Sequence, residues 1–139
     1  MIEYAFQTNF ELTRLDLYSV WLKEVALSEG CEIDGLQYVF VSDDELYEMN
    51  VKYLNHSTLT DIITFDYSEN RALSGDLFIS VDRVRENAET FKVSFDVELR
   101  RVMVHGLLHL AGYGDKSTED EQLMRLKEDE KLKMFHVEQ

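Results

Sequence analysis

The segment after Ser94 constrains the fold most, because the helix that it predicts is apolar on almost every side. Ser94 can cap the first turn of that helix. A helix with so little polar surface has to be covered by a sheet and by other helices. Two histidines, His105 and His109, interrupt a run that includes Val102, Val104, Leu107, Leu108 and Leu110. We therefore expect a central, largely buried helix that carries two imidazoles.

The spacing of the two histidines predicts a metal site. His105 and His109 are four residues apart, so they lie on one face of a helix. Gly112 can end the helix in a left-handed conformation, and the turn at Gly114 can bring Asp115 back towards the imidazoles. A single histidine on an apolar helix is usually a core residue bonded to backbone. Burying two histidines would leave several ring nitrogens without hydrogen-bond partners. A metal ion bound by both rings removes that cost.

The rest of the chain predicts short strands that alternate with capped helices. Strands are expected at residues 2–6, 36–41, 61–67 and 77–81, with a polar turn at 68–75 between the last two. Helices are expected after the caps Asn9, Ser42, Asp82, Ser94 and Ser117, with Gly30 ending the first and the second fading by Asn55. This pattern favours the α/β class, as a single small mixed sheet with helices packed around it. The metal site then lies on the central apolar helix and the turn that follows.

Length and composition favour one compact unit. The chain has 139 residues, of which 45% are hydrophobic, enough for one domain over residues 1–139 with a substantial core. No run approaches the roughly 18 apolar residues of a membrane span, and the amino terminus lacks a signal-peptide pattern. The single cysteine, Cys31, has no partner for an internal disulfide. We expect a cytoplasmic protein with no membrane partner.

The charge is strongly acidic, at a formal net value of -14. This argues against tight, sequence-independent binding to nucleic acid, because phosphate contacts need clustered lysine and arginine. The basic residues that do cluster lie in the segment leading into the histidine helix: Arg83, Arg85, Lys92, Arg100 and Arg101. They form either a basic rim near the metal on an acidic body or ordinary solvated helix faces.

The histidine segment resembles the YbeY-type single-strand endoribonucleases of ribosomal RNA maturation, whose motif is His-Gly-x-Leu-His-Leu-x-Gly-Tyr-Asp-His. The positions that match it are His105, Gly106, Leu108, His109, Leu110, Gly112 and Tyr113. A second stretch typical of the family matches at Asn50, Tyr53, Thr60, Asp61 and Phe65, and the pair Gly75 and Asp76 also fits. The resemblance covers residues 39–115. It implies a zinc-dependent enzyme with one ion per chain that cleaves single-stranded RNA.

The first departure from the family pattern is Asp115, which stands where the motif has a third histidine. We expect His105, His109 and Asp115 to be the ligands. An alternative alignment puts Lys116 at that position, but a protonated lysine cannot bind a metal. A carboxylate lowers the charge of the site relative to a third imidazole, so a bound water becomes less acidic and hydrolysis at neutral pH slower.

The second departure is Leu54, at a position where family members commonly carry an arginine after the tyrosine. The resemblance implies that this arginine contacts RNA phosphate or supports catalysis. His56, Arg100 or Arg101 is a candidate to replace it in RNA binding, and reduced activity is the alternative.

The function implied is a single metal-dependent hydrolase domain that cuts RNA with a metal-bound water in ribosomal RNA maturation and ribosome quality control. Asp61 is a candidate general base, although an aspartate at a strand start can simply bond backbone. The partners implied are a ribosomal RNA precursor and the ribosome or a ribosomal protein. One alternative is a non-catalytic ribosome assembly factor with a structural metal. A more distant one is a non-heme iron oxygenase, because two histidines and a carboxylate match its ligand set.

Overall fold

Four strands and five helices form the fold. The computed structural model describes residues 1–54 and 60–135, with only the backbone of Leu54. The elements run in the order β1 (Ile2–Phe6), α1 (Leu15–Ser28), β2 (Glu32–Val41), α2 (Asp43–Leu54), β3 (Ile62–Asp66), β4 (Ala72–Ser80), α3 (Val81–Phe91), α4 (Phe95–Leu110) and α5 (Thr118–Leu132).

The strands make one mixed sheet in the order β1-β2-β4-β3. β1, β2 and β4 are parallel, and β3 pairs with β4 in the antiparallel direction. Parallel neighbours require crossover connections, which α1 and the segment from α2 to β3 supply. The α/β class and the mixed sheet with surrounding helices are therefore confirmed.

Helices cover both faces of the sheet. On one face, α4 packs on the sheet with α1 and α3 around it, in a core that includes Trp21, Tyr38, Leu77, Leu99 and Met103. The other face carries a smaller cluster under α2, made of Val39, Val41, Leu46 and Ile63. The central position predicted for the apolar histidine helix is confirmed. No helix within the described ranges has the length and apolar character that crossing a bilayer requires.

Three predicted helix starts are confirmed by their hydrogen bonds. The Ser42 hydroxyl accepts from the Glu45 amide at 3.2 Å, and the Glu45 carboxylate accepts from the Ser42 amide, which is the predicted capping box. Ser94 accepts from the Val97 amide, and Ser117 accepts from the Asp120 amide. Each serine satisfies an amide that has no partner inside its helix.

Several predicted boundaries are wrong. The first helix begins at Leu15, after Arg14 in a left-handed conformation, and not at Asn9. The preceding segment stays non-helical while Phe10 packs on Phe40 and Phe95. The cap of α3 is Ser80, whose hydroxyl accepts from the Arg83 amide, and not Asp82.

Two strands are longer than predicted. β2 begins at Glu32, because its first half pairs with β4. β4 begins at Ala72, so the polar turn ends well before Gly75. In both strands the missed half is polar or contains glycine, and pairing between strands overrides that weak local preference.

Gly106 sets how closely α4 approaches the sheet. A β-carbon at this position would lie 2.5 Å from Leu77 Cδ2 and 2.8 Å from Ile62 Cδ1. These distances are far below ordinary carbon contacts, so an added side chain would force Leu77 and Ile62, or the helix itself, to move. Because His105 precedes Gly106 directly, the same contact fixes how far that imidazole stands from the sheet.

We predict that Gly106→Ala lowers the free energy of unfolding by about 1 kcal/mol or more, since overpacking outweighs the better helix propensity of alanine. Denaturant unfolding measures this change. Gly35→Ala is the matched control, because its added methyl group meets nothing closer than the Ser74 hydroxyl at 4.0 Å. A stabilised Gly106→Ala variant would show that α4 does not need this close approach.

Candidate metal centre

Helix α4 presents His105 and His109 on one face. Their ring centroids are 4.6 Å apart and the rings are nearly perpendicular, at 81°. Both side chains are partly buried, with 22% and 29% of their surface exposed. They are therefore held by packing yet open on one side, as a ligand to a reactive metal ion has to be.

The turn after α4 brings Asp115 to the two imidazoles. Helix α4 ends at Leu110, and Gly112 has a φ of 111°, which favours glycine. Asp115 Oδ2 then lies 3.2 Å from His109 Nε2 and 3.4 Å from His105 Nε2. One ligand atom from each residue lies within 4.8 Å of the others, and no other such group of three occurs in residues 1–54 and 60–135. The geometry that the spacing predicted is thus present.

Glu128, which the sequence analysis did not single out, hydrogen-bonds to the ring of His105. Its Oε2 lies 2.5 Å from His105 Nδ1, and its side chain is only 7% exposed. Since a carboxylate accepts, Nδ1 carries the proton and the lone pair of Nε2 faces Asp115. Burial opposes protonation of His105, but the hydrogen bond and charge of Glu128, with Asp61 and Asp115, raise its pKa overall.

Asp61 lies just before β3, beside the same imidazole. It lines a recess of about 240 Å³ that His105 also lines. Burial raises the pKa of Asp61, and the nearby His105 partly offsets that effect. The amide of Asn87 donates to Asp61 Oδ2 at 3.4 Å. The structure therefore places the predicted base next to a proposed ligand, with a carboxyl that holds protons more readily than an ordinary aspartate.

Comparison with known proteins identifies the family. A family model described as Endoribonuclease YbeY matches residues 5–136. A curated relative of that name from Flavobacterium psychrophilum is 52% identical, over 100% of this chain and 99% of its own length. One from Flavobacterium johnsoniae is 51% identical over the whole of both chains. This chain belongs to the YbeY endoribonuclease family. The resemblance read from the histidine motif is therefore confirmed.

A solved structure supports the architecture. The solution structure of a Thermotoga maritima protein superposes with a TM-score of 0.67 at 27% identity, and the match covers 97% of this chain and 89% of that one.

Arg100 and Arg101, the two arginines proposed to replace the family arginine missing at Leu54, lie in different surroundings. Arg101 ion-pairs with Glu128 Oε1 at 2.9 Å and with Asp129 Oδ1 at 2.6 Å. Arg100 lies over the ring of Phe135, 4.3 Å from its centroid. The structure thus brings Arg101 next to the metal centre and directs Arg100 to an aromatic contact. His56 lies outside the described residues.

A second network, which the sequence did not predict either, anchors the turn that carries Asp115. The Tyr113 hydroxyl donates to Glu29 Oε1 at 2.6 Å, and Lys131 Nζ contacts Glu29 Oε2 at 2.7 Å. The Lys131 side chain is only 2% exposed. Glu29 at the end of α1 therefore ties the turn before Asp115 to the helix that carries Glu128. Because its members lie up to about a hundred residues apart, no local pattern in the sequence indicates it.

We predict that Glu128→Gln weakens metal binding by about tenfold or more, because the hydrogen-bonded carboxylate sets the tautomer and basicity of His105. Competition with a chelating dye measures the affinity. Asp129→Asn is the matched control, since Asp129 pairs with the same Arg101 but does not touch His105. Equal affinities of the two variants would contradict the role of Glu128 as a positioning residue.

Proposed function

We propose that this protein is a zinc-dependent endoribonuclease that cleaves single-stranded RNA in ribosomal RNA maturation and quality control. Its ligands are His105, His109 and Asp115, and it acts as a single domain with one ion per chain. The observation that carries the proposal is the convergence of these three side chains in a chain of the YbeY endoribonuclease family.

The chemistry of the donor set fits zinc. Imidazole nitrogen and carboxylate oxygen are ordinary zinc donors, and three protein ligands leave a position open for water or substrate. Glu128 supports the fit, because it accepts a hydrogen bond from the Nδ1–H of His105 and leaves the lone pair of Nε2 available to a metal ion. When bound, zinc polarises a phosphoryl oxygen and lowers the pKa of a water molecule.

The residues around the metal ligands supply the proton transfer that the reaction requires. Asp61 accepts a proton from the attacking group at its carboxylate, which Asn87 orients by hydrogen bonding. Gly106 stands where a zinc protease of the HExxH type carries its general base, so this chain lacks the proton acceptor of that class at that position. The burial that raises the pKa of Asp61 makes it a stronger base than an exposed aspartate.

The proposed partners are a ribosomal RNA precursor and the ribosome or a ribosomal protein, in the cytoplasm. A chain with a net charge of -14 has little positive charge with which to bind the phosphates of RNA by itself. Arg100, Arg101 and His56 remain the proposed RNA contacts, of which Arg101 is the one described beside His105. A bound ribosomal partner can supply the basic surface that this chain lacks.

Removal and return of the metal test the proposal. We expect protein stripped with a chelator to leave a single-stranded RNA intact, and one equivalent of zinc to restore cleavage, because the ion would polarise the phosphoryl group and make a water molecule more acidic. A duplex of the same sequence is the control and should resist. Cleavage that survives complete metal removal, or that zinc does not restore, would contradict the proposal.

Replacing the third ligand tests its chemistry. We predict that Asp115→Ala lowers zinc affinity by about tenfold or more, whereas Asp115→His retains binding. A neutral imidazole leaves the site one unit more positive, so we expect the pH profile of Asp115→His cleavage to shift towards lower pH. Unchanged zinc occupancy in Asp115→Ala would exclude Asp115 as a ligand, and an unshifted profile would contradict the charge effect.

The variant Asp61→Asn distinguishes a role in proton transfer from a role in metal binding. We predict that kcat falls by about a hundredfold or more, because the amide cannot accept a proton, while zinc occupancy is unchanged. In the wild type, activity should fall as the pH drops through the raised pKa of Asp61. A near-normal kcat in Asp61→Asn would exclude Asp61 as the general base and leave it a structural role at the start of β3.

A further inference from the structure

Arg125 is a positively charged residue of α5 that lies beside the metal centre. Together with His105 and Asp115 it lines a cleft of about 690 Å³. It also lines the neighbouring recess of about 240 Å³, which His105 and Asp61 line as well. An anion that binds beside His105, in either cavity, therefore lies near this guanidinium.

The guanidinium of Arg125 is available to a ligand. Arg125 is exposed, and it makes no hydrogen bond or ion pair with any residue in the part of the chain that the structure describes. Its charge still acts inside the recess, since burial raises the pKa of Glu98 and the charge of Arg125 opposes that rise. Arg125 thus adjoins the site without a carboxylate bound to it.

The other cation of these two cavities is already engaged. Arg101 lines the same recess, but it ion-pairs with Glu128 at 2.9 Å and with Asp129 at 2.6 Å. Among the described residues, no further arginine or lysine lines the cleft or the recess. Arg125 is therefore the residue that offers an unpaired positive charge to a ligand in these cavities.

The acidic residues of the cleft leave most of this charge in place. Asp115 is a proposed metal ligand, so a bound ion offsets its charge. Glu128 is already paired with Arg101. Glu121, an exposed residue one turn before Arg125 on α5, is the remaining acid that lines the cleft. An incoming phosphate therefore meets an unpaired guanidinium and one carboxylate that water screens.

We propose that Arg125 binds a backbone phosphate of the RNA strand that is held at the metal centre. Arginine presents a planar set of N–H donors that matches phosphate, and its charge is permanent. Contacts to phosphate fix the position of a strand without selecting its bases. Arg125 is thus a substrate-binding residue on α5, opposite the imidazoles of α4. The inference rests on the proposed RNA substrate.

Binding of RNA analogues that resist cleavage tests this contact. We would measure the affinity of zinc-loaded protein for 2′-O-methyl oligouridine over a range of salt concentrations. Arg125→Gln should weaken binding by about fivefold at low salt, and the slope of log affinity against log salt should become shallower by about 0.7. Lys23→Gln removes the same charge from an exposed position on α1 that lines neither cavity, so it should leave both values unchanged.

Arg125→Lys distinguishes the loss of charge from a disturbed helix. This variant keeps the positive charge, so it should retain the salt dependence of wild type and bind within about threefold of it. The loss in Arg125→Gln should be equal for oligouridine and oligoadenosine, since phosphate is common to both. Unchanged affinity in Arg125→Gln, a loss confined to one base, or an equal loss in Arg125→Lys would overturn the proposal.

Cleavage of matched ribose oligomers separates this inference from the proposed function. If wild type cleaves RNA and Arg125→Gln binds the analogues as tightly as wild type does, the phosphate contact is contradicted and the endoribonuclease proposal stands. Binding that depends on Arg125, without cleavage of any RNA, would do the reverse.

Discussion

The close approach of helix α4 to the sheet is the constraint on which the rest of the structure depends. Gly106 permits it, since any side chain there would collide with Leu77 and Ile62. The helix can then lie against β3 and β4, with His105 beside Asp61 at the start of β3. The turn after Gly112 folds back over the same face, so that Asp115 meets both imidazoles. The imidazoles of α4 are therefore positioned next to both Asp61 and Asp115.

Carboxylates hold this centre together, in a chain that carries 28 acidic residues against 14 basic ones. Glu128 is satisfied by His105 and Arg101, and Glu29 by Tyr113, Lys127 and Lys131. The buried Glu128 and the partly buried Glu29 therefore both have donors that offset the cost of desolvation.

The metal ligands and the central helix were predictable because the sequence patterns that specify them lie within a few neighbouring residues. His105, His109 and Asp115 lie within eleven residues, and helical spacing with a glycine stop suffices to bring them together. Ser42, Ser94 and Ser117 were recognisable as caps for the same reason. The start of α1 was not, because Asn9 has capping chemistry while the packing of Phe10 keeps its segment out of the helix. Glu128 and Glu29 were not predictable either, since α5 and α1 reach the centre only through tertiary packing.

The central claim is that one ion at His105, His109 and Asp115 performs RNA cleavage. The most direct test measures zinc content and cleavage of a single-stranded RNA together, in wild type and His109→Ala that have been incubated with the same zinc concentration and freed of unbound metal. We predict one zinc per wild-type chain with cleavage, and loss of both in the variant. Stoichiometric zinc in His109→Ala, or a wild type that binds zinc and cleaves no RNA, would contradict the claim.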